Sequence, residues 1–138
     1  MICQVMPAER FVESLDAVFI RHSLTHDGSD FQRKLGRWLS REAYPTDEDG
    51  HVAVVISDGV TVGWARTEVW QGHDTLEAFV SQPFRQRGIA AFAAAGLRAG
   101  PLGEKVAVFH PSMILVARRA GLRPTLFEKD ADGVWRLA

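Results

Sequence analysis

An α+β fold built on a mixed, mostly antiparallel sheet is what this sequence predicts, and three observations carry the prediction. Apolar residues first recur at helical spacing and then, from His51 onward, at the spacing of strands. Two Asp-Gly pairs, Asp58-Gly59 and Asp132-Gly133, mark hairpin turns, because such turns need positive φ. Residues 75–109 read as strand, helix and strand, which within one sheet gives a right-handed crossover and one parallel strand pair.

In chain order, residues 2–6 (ICQVM) form a short strand stopped by Pro7. Residues 8–21 form a helix with Phe11, Leu15, Val18 and Phe19 on one side. A polar loop over residues 22–30 ends at Asp30, which caps a second helix over residues 31–41 carrying Leu35, Trp38 and Leu39 on its face. Residues 42–50 are a loop. HVAVVIS, residues 51–57, is a valine-rich strand, and the Asp58-Gly59 turn leads into the alternating strand of residues 60–70. QGHD, residues 71–74, is a second turn. A third strand runs from Asp74 or Thr75 to Ser81 and completes an antiparallel meander. The next helix spans residues 88–97, with Ile89, Phe92, Ala93, Gly96 and Leu97 as its buried stripe, and Gly100-Pro101 ends it. Residues 105–109 are a strand. Pro111 and Ser112 open a last helix that Gly121 closes, with Ser112 as its cap. Residues 124–138 are two strands around Asp132-Gly133.

Length and composition bound the function. At 138 residues the chain reads as a single domain over 1–138, with an ordinary 46% hydrophobic and 24% charged content. A net charge of −1 gives no electrostatic footprint for nucleic acid. One cysteine, Cys3, excludes an internal disulfide. No N-terminal apolar run reads as a signal peptide, and the longest small-apolar run, residues 89–97, is too short to span a bilayer. The expectation is a soluble, cytoplasmic protein without a membrane partner.

The chemistry-bearing stretch is FVSQPFRQRGIA, residues 79–90. A strand end, a basic loop and a helix start follow one another there. The first amides of a helix lack intrahelical partners and carry partial positive charge, so they suit an anion. Gly88 lets backbone approach a ligand, and Arg85 and Arg87 add charge. Arg85, Gln86, Arg87, Gly88, Ile89 and Ala90 are therefore a candidate pyrophosphate cradle. The plain alternative is a helix start with two solvated arginines. The absence of GK[ST] and of GxGxxG excludes the P-loop and dinucleotide patterns.

Arg85-x-x-Gly88-x-Ala90 matches the acetyl-CoA motif of the GNAT family of N-acetyltransferases, which is Arg or Gln, two residues, Gly, one residue, Gly or Ala. The preceding Val80-Ser81-Gln82-Pro83-Phe84 resembles that family's strand end and Pro-containing loop. The element order resembles the family over nearly the whole chain. The resemblance implies a GNAT-like sheet with flanking helices and acetyl-CoA as co-substrate. It implies that the pantetheine arm bonds like an added strand to Ala78, Phe79 and Val80, and that backbone N–H groups of residues 85–90 hold the pyrophosphate. It also implies a strand bulge whose amide polarises the thioester carbonyl, and direct transfer to an amine with a base to take its proton.

Candidate bases are Glu77, Asp74 and Glu68, each also readable as an ordinary strand carboxylate. The alternation of residues 77–80 leaves the face of Glu77 open. The family often places an asparagine after its fifth strand and a thiolate-protonating tyrosine seven residues on. Aligned on Gly121, those positions hold His110 and Ala117, and the only tyrosine, Tyr44, matches neither. Imidazole ordinarily titrates near neutrality, so His110 is a candidate acid beside the cofactor sulfur, or else a structural stand-in for the asparagine. His22-x-x-x-His26, followed by Asp27, resembles ligand spacing on a helix but lies in a polar loop with no third ligand evident, so no metal is expected. Trp38, Trp64 and Trp70 are candidates for the acceptor cleft or for the core. Arg118 and Arg119 read as a solvated helix end. The loops 22–30 and 42–50, as the family's acceptor wall, are acidic and polar.

Two functions from different classes follow. One is an acetyl-CoA-dependent N-acetyltransferase acting on a small-molecule amine, a peptide N-terminus or a lysine. The other is a non-catalytic acyl-CoA-binding regulatory or interaction module, which the alanine at position 117 favours. A domain holding another phosphate ligand is a third. A two-fold homodimer is the default assembly.

Overall fold

A computed structural model describes residues 1–7, 48–80 and 84–138. The helices expected over 8–21 and 31–41, the loop 22–30 with its histidines, and Tyr44 lie outside the described residues.

The alternating, β-branched runs form strands where their period places them. β1 is Ile2–Pro7, β2 Glu48–Ser57 and β3 Val60–Trp70. The β2–β3 turn is Asp58-Gly59, at φ 51° and 78°, as the Asp-Gly pair requires. β2 begins three residues before His51, inside the expected loop 42–50. Its register against β3 is offset between Glu48 and His51 and again between Val55 and Ile56.

The expected third strand is two. β4 is His73–Thr75 and β5 is Glu77–Val80. Only Gln71 and Gly72, both at positive φ, make the turn before them; His73 and Asp74, expected in the turn, pair with Trp70 and Val69. Helix α1, Ile89–Arg98, leads to β6, Lys105–Val108, then helix α2, Ser112–Arg119, and the strands β7, Arg123–Lys129, and β8, Trp135–Leu137.

The result is an eight-stranded mixed sheet ordered β1-β2-β3-β4-β6-β7-β8, with β5 paired to β3 alone. It is mostly antiparallel but holds two parallel pairs, β4 with β6 and β6 with β7, where one was expected. Each parallel pair spans a helix-containing connection, since parallel neighbours cannot be joined by a tight turn.

Both described helices pack into one core with the sheet. Ala53, Val55, Ala65, Leu76, Val106 and Val108 meet Ile89, Ala93, Ala94 and Leu97 of α1 and Met113 and Ala117 of α2. The stripe of α1 differs from the expected one at three positions. Phe92 is 37% exposed, Gly96 is half-buried and Ala94 is fully buried. A helix wedged between sheet and second helix buries a wide face, and alanine fits its narrow side. Among the described residues no helix is long and apolar enough to cross a membrane.

The C-terminal hairpin is clamped by one carboxylate. Asp130 Oδ1 accepts from the Asp132 and Val134 amides, each at 2.9 Å, and Oδ2 accepts from Arg136 Nε at 2.6 Å. These donors, Arg136 first, hold the Asp130 carboxyl below the usual carboxylate range. A lowered folded-state value means that the ionised clamp stabilises the hairpin above the ordinary carboxylate range. That contribution is lost as pH falls through the range toward the folded-state value. Trp135 fluorescence should therefore report local loosening in acid for the wild type, and Asp130→Asn should flatten that pH dependence.

Candidate functional site

β3 carries the site because its two faces hold different chemistry. Gly63 and Ala65 turn toward α1. Their cross-strand partners Val80 and Ala78 pack against the α1 core. Trp64, Arg66, Glu68 and Trp70 turn the other way, with Phe79 and Glu77 opposite Trp64 and Arg66. Gly63 is where β5 and α1 come closest to β3. A Cβ there would lie 2.9 Å from the Phe79 carbonyl oxygen and 3.2 Å from side-chain atoms of Ile89 and Val80.

The central feature is a change of partner along one strand. β4 pairs with both β3 and β6, whereas β5 pairs with β3 only. The last bond across to β6 runs from the Leu76 N–H to the Ala107 carbonyl at 3.0 Å. Beyond it β5 and the end of β6 carry no ladder between them. Alternate residues of an antiparallel strand turn both backbone groups to the same side. Leu76 turns its N–H away from β3, so Ala78, two residues on, turns its N–H and C=O to the same open side. Val80 belongs to this set as well, and its carbonyl accepts from Arg85 Nε at 2.9 Å. The expected strand bulge is absent here. Val69 faces Asp74 and Arg66 faces Glu77, so equal numbers of residues intervene on both strands.

The open edge runs toward the basic loop. The Arg85 guanidinium lies 6.0 Å from the Phe79 ring centroid, and that of Arg87 lies 5.5 Å from the Phe84 ring. Gln86 and Gly88 both adopt left-handed backbone, at φ 62° and 75°. α1 starts with the Phe92 amide donating to the Gly88 carbonyl at 2.9 Å. Its first turn holds no acidic residue, and no side chain caps it. The amides of Ile89, Ala90 and Ala91 are thus presented at the loop without a competing carboxylate. Among the described residues, a Cβ on Gly88 would meet no atom beyond its chain neighbours within 4 Å, so it would enter open space. An anionic group with an amide-bearing arm fits both features, the arm on Ala78 and the anion at the α1 amides.

The candidate acid–base residues stand apart in kind. Glu77 is 25% exposed, and its Oε2 receives Arg66 Nε and Nη2, both at 3.1 Å. Arg66 also approaches Glu68 Oε1 at 3.5 Å, with both side chains buried. Asp74 accepts the Gly103 amide at 3.1 Å and so anchors the connection after α1. His110 is exposed at the end of β6, past the point where β5 and β6 part. Its Nδ1 lies 2.8 Å from Ser112 Oγ and accepts the Ser112 amide at 3.2 Å. The residue before α2 is Pro111, so Ser112 is not the cap; the His110 ring serves the first amide instead. Ala117, at the position aligned with the tyrosine, is fully buried.

Trp64 stacks on Phe79 at 5.9 Å, and Trp70 makes edge contacts with Phe109 and Phe127 at 5.4 and 5.0 Å. Both tryptophans fill the sheet face opposite α1. Trp38 lies outside the described residues. Among the described residues no group of three or more His, Cys, Asp or Glu could hold a metal ion.

Sequence reasoning passed over Arg66, Thr75 and Leu76. Arg66 had a signal: Arg66 and Glu68 alternate with Trp64 and Trp70 on one strand face, where a charged pair implies mutual neutralisation in a buried layer. The break at Leu76 had none, since HDTLEAFV reads as one continuous strand.

No family model matches the chain, and no curated protein matches it. Among solved structures, the chain is similar to an acetyltransferase from the GNAT family from Colwellia psychrerythraea, at 14% identity and a TM-score of 0.41. The likeness covers 90% of this chain, which spans 38% of the length of that protein.

Proposed function

We propose that this chain, as a single domain, binds acetyl-CoA and transfers its acetyl group to a primary amine of a small molecule, a peptide N-terminus or a lysine. The observation that carries the reading is the parting of β5 from β6 at Leu76, which leaves the Ala78 edge open in line with the Arg85–Gly88 loop and the uncapped start of α1. An amide-bearing arm can add to such an edge as a strand does. Ala78 would hold the pantetheine arm between Phe79, Val80 and the end of β6. The amides of Gly88, Ile89 and Ala90 would hold the pyrophosphate, with Arg85, Gln86 and Arg87 around it.

Acetyl-CoA supplies an activated acyl carbon. The chain must dispose of protons: one leaves the attacking amine, and the thiolate takes one up or departs without it. Glu77, held by Arg66, is the proposed base, acting directly or through water. His110 is the proposed group near the sulfur. With Nδ1 accepting from the Ser112 amide, Nε2–H is the group left to donate toward the sulfur.

A second reading, an acyl-CoA-binding module without turnover, is favoured by the burial of Ala117 where a tyrosine hydroxyl would serve as acid. Thermal melting with acetyl-CoA, CoA and ATP, followed by thiol release over an amine panel, separates the two. A ligand at a hundred times its Kd stabilises by about 2.7 kcal/mol, an easily measured shift. Stabilisation by both CoA forms with amine-dependent thiol release supports transfer. Stabilisation without release on any amine supports the module. No shift with either CoA form overturns both, and a shift with ATP alone points to another phosphate ligand.

A further inference from the structure

Thr75 is 1% exposed and lies at the point where the strand changes partner. In continuous register it faces Glu68, since Val69 faces Asp74 and Arg66 faces Glu77. By the alternation that turns Leu76 toward β6, Thr75 should pair with Glu68 through its own backbone. The side chain bonds the same backbone groups of Glu68. Thr75 Oγ1 accepts the Glu68 N–H at 3.0 Å and donates to the Glu68 carbonyl at 3.2 Å. One hydroxyl is both acceptor and donor, so it can serve a backbone N–H and C=O together. On the other side Thr75 faces Ala107 in the β4–β6 pairing, and the next residue, Leu76, gives its amide to Ala107.

We infer that Thr75 is the positioning residue of the parted strands. Its hydroxyl bonds the buried backbone of Glu68 while the N–H of the next residue, Leu76, serves β6. The divergence of β5 from β6 is thereby fixed at Leu76, and Ala78 becomes the first residue of the open edge. The inference rests on the acyl-CoA reading only for what lies along that edge; the hydrogen-bond exchange itself does not depend on it.

The test compares Thr75→Val, which keeps the branched shape and loses the hydroxyl, with Thr75→Ser, which keeps the hydroxyl. Two readouts are taken on each: amide hydrogen exchange at Glu68 and Leu76, and the Kd for acetyl-CoA. Thr75→Val should expose the Glu68 amide to exchange, destabilise the Leu76 bond, and weaken acetyl-CoA on the order of tenfold. Thr75→Ser should restore both readouts. If Thr75→Val does not fold, Thr75→Ala against Thr75→Ser makes the same comparison, since both lack the methyl group. Unchanged exchange in the hydroxyl-free variant overturns the inference, as does equal weakening in the serine and hydroxyl-free variants. Altered exchange with undiminished acetyl-CoA binding overturns its positioning role. If the wild type binds no CoA form, the function proposed above fails, and exchange at Glu68 and Leu76 still decides the role of Thr75 at the strand switch.

Discussion

Replacing Arg66 with methionine is expected to cost the fold about 3–5 kcal/mol, the penalty for breaking a buried ion pair by removing one member. Arg66 is 3% exposed and Glu68 2%, with 3.5 Å between Nη1 and Oε1. Methionine fills the guanidinium's stem volume but cannot balance a carboxylate. Glu77, which also binds Arg66, keeps access to water, so the penalty falls mainly on Glu68. Against a typical domain stability of about 5–15 kcal/mol, such a loss brings the variant near its folding threshold. Urea denaturation of the wild type and Arg66→Met measures it. The double variant Arg66→Met with Glu68→Gln should recover much of the loss, because the buried carboxylate that Arg66 balances is then replaced by a neutral amide. A loss under about 1 kcal/mol in the single variant would place the pair with solvated surface ion pairs and refute the argument. Acetyl transfer should fall further than stability alone explains, because Arg66 also fixes the Glu77 carboxylate proposed as base.

The elements legible in the sequence were those decided locally. β3 falls on the residues its alternation and the Asp58-Gly59 turn dictate. The start of α1 at Gly88 was legible for the same reason: a glycine between a basic loop and an alanine-rich run has few other conformational uses. What escaped was decided by contacts distant in sequence. Nothing in HDTLEAFV states that its first half will pair with residues 105–108 and its second half will not. The hydroxyl that permits the split is one threonine among several in a β-rich region. The second parallel pair escaped likewise, because a strand's period specifies its faces and not its neighbour. Ser112 illustrates a third kind of limit: its side chain is a good cap, but the His110 ring two residues earlier reached the first amide of α2 instead. For the candidate site, the loop residues 85–90 were legible as a motif, and the face of Glu77 was not. It depends on which side of β3 receives α1, a choice that Gly63 and Ala65 make by being small.

Gly88 separates strain from ligand contact, and its substitutions should lose acetyl-CoA binding before they lose the fold. Its φ of 75° lies in the left-handed region, while a Cβ there would meet nothing within 4 Å among the described residues beyond its chain neighbours. Alanine at this position therefore pays conformational strain alone, about 1–2 kcal/mol. Asparagine, which tolerates left-handed backbone, should lose less stability. Both place a side chain in the open space at the start of α1. If those amides hold a pyrophosphate, Gly88→Ala and Gly88→Asn should each weaken acetyl-CoA by at least about tenfold, or about 1.4 kcal/mol. Calorimetric titration of each variant beside its own melting curve tests this. If Gly88 serves only to start the helix, affinity should follow stability, with Gly88→Asn close to the wild type in both. Equal loss of affinity from two variants of unequal stability is the outcome that a helix start alone does not produce, because only an occupant of the open space is indifferent to which side chain displaces it.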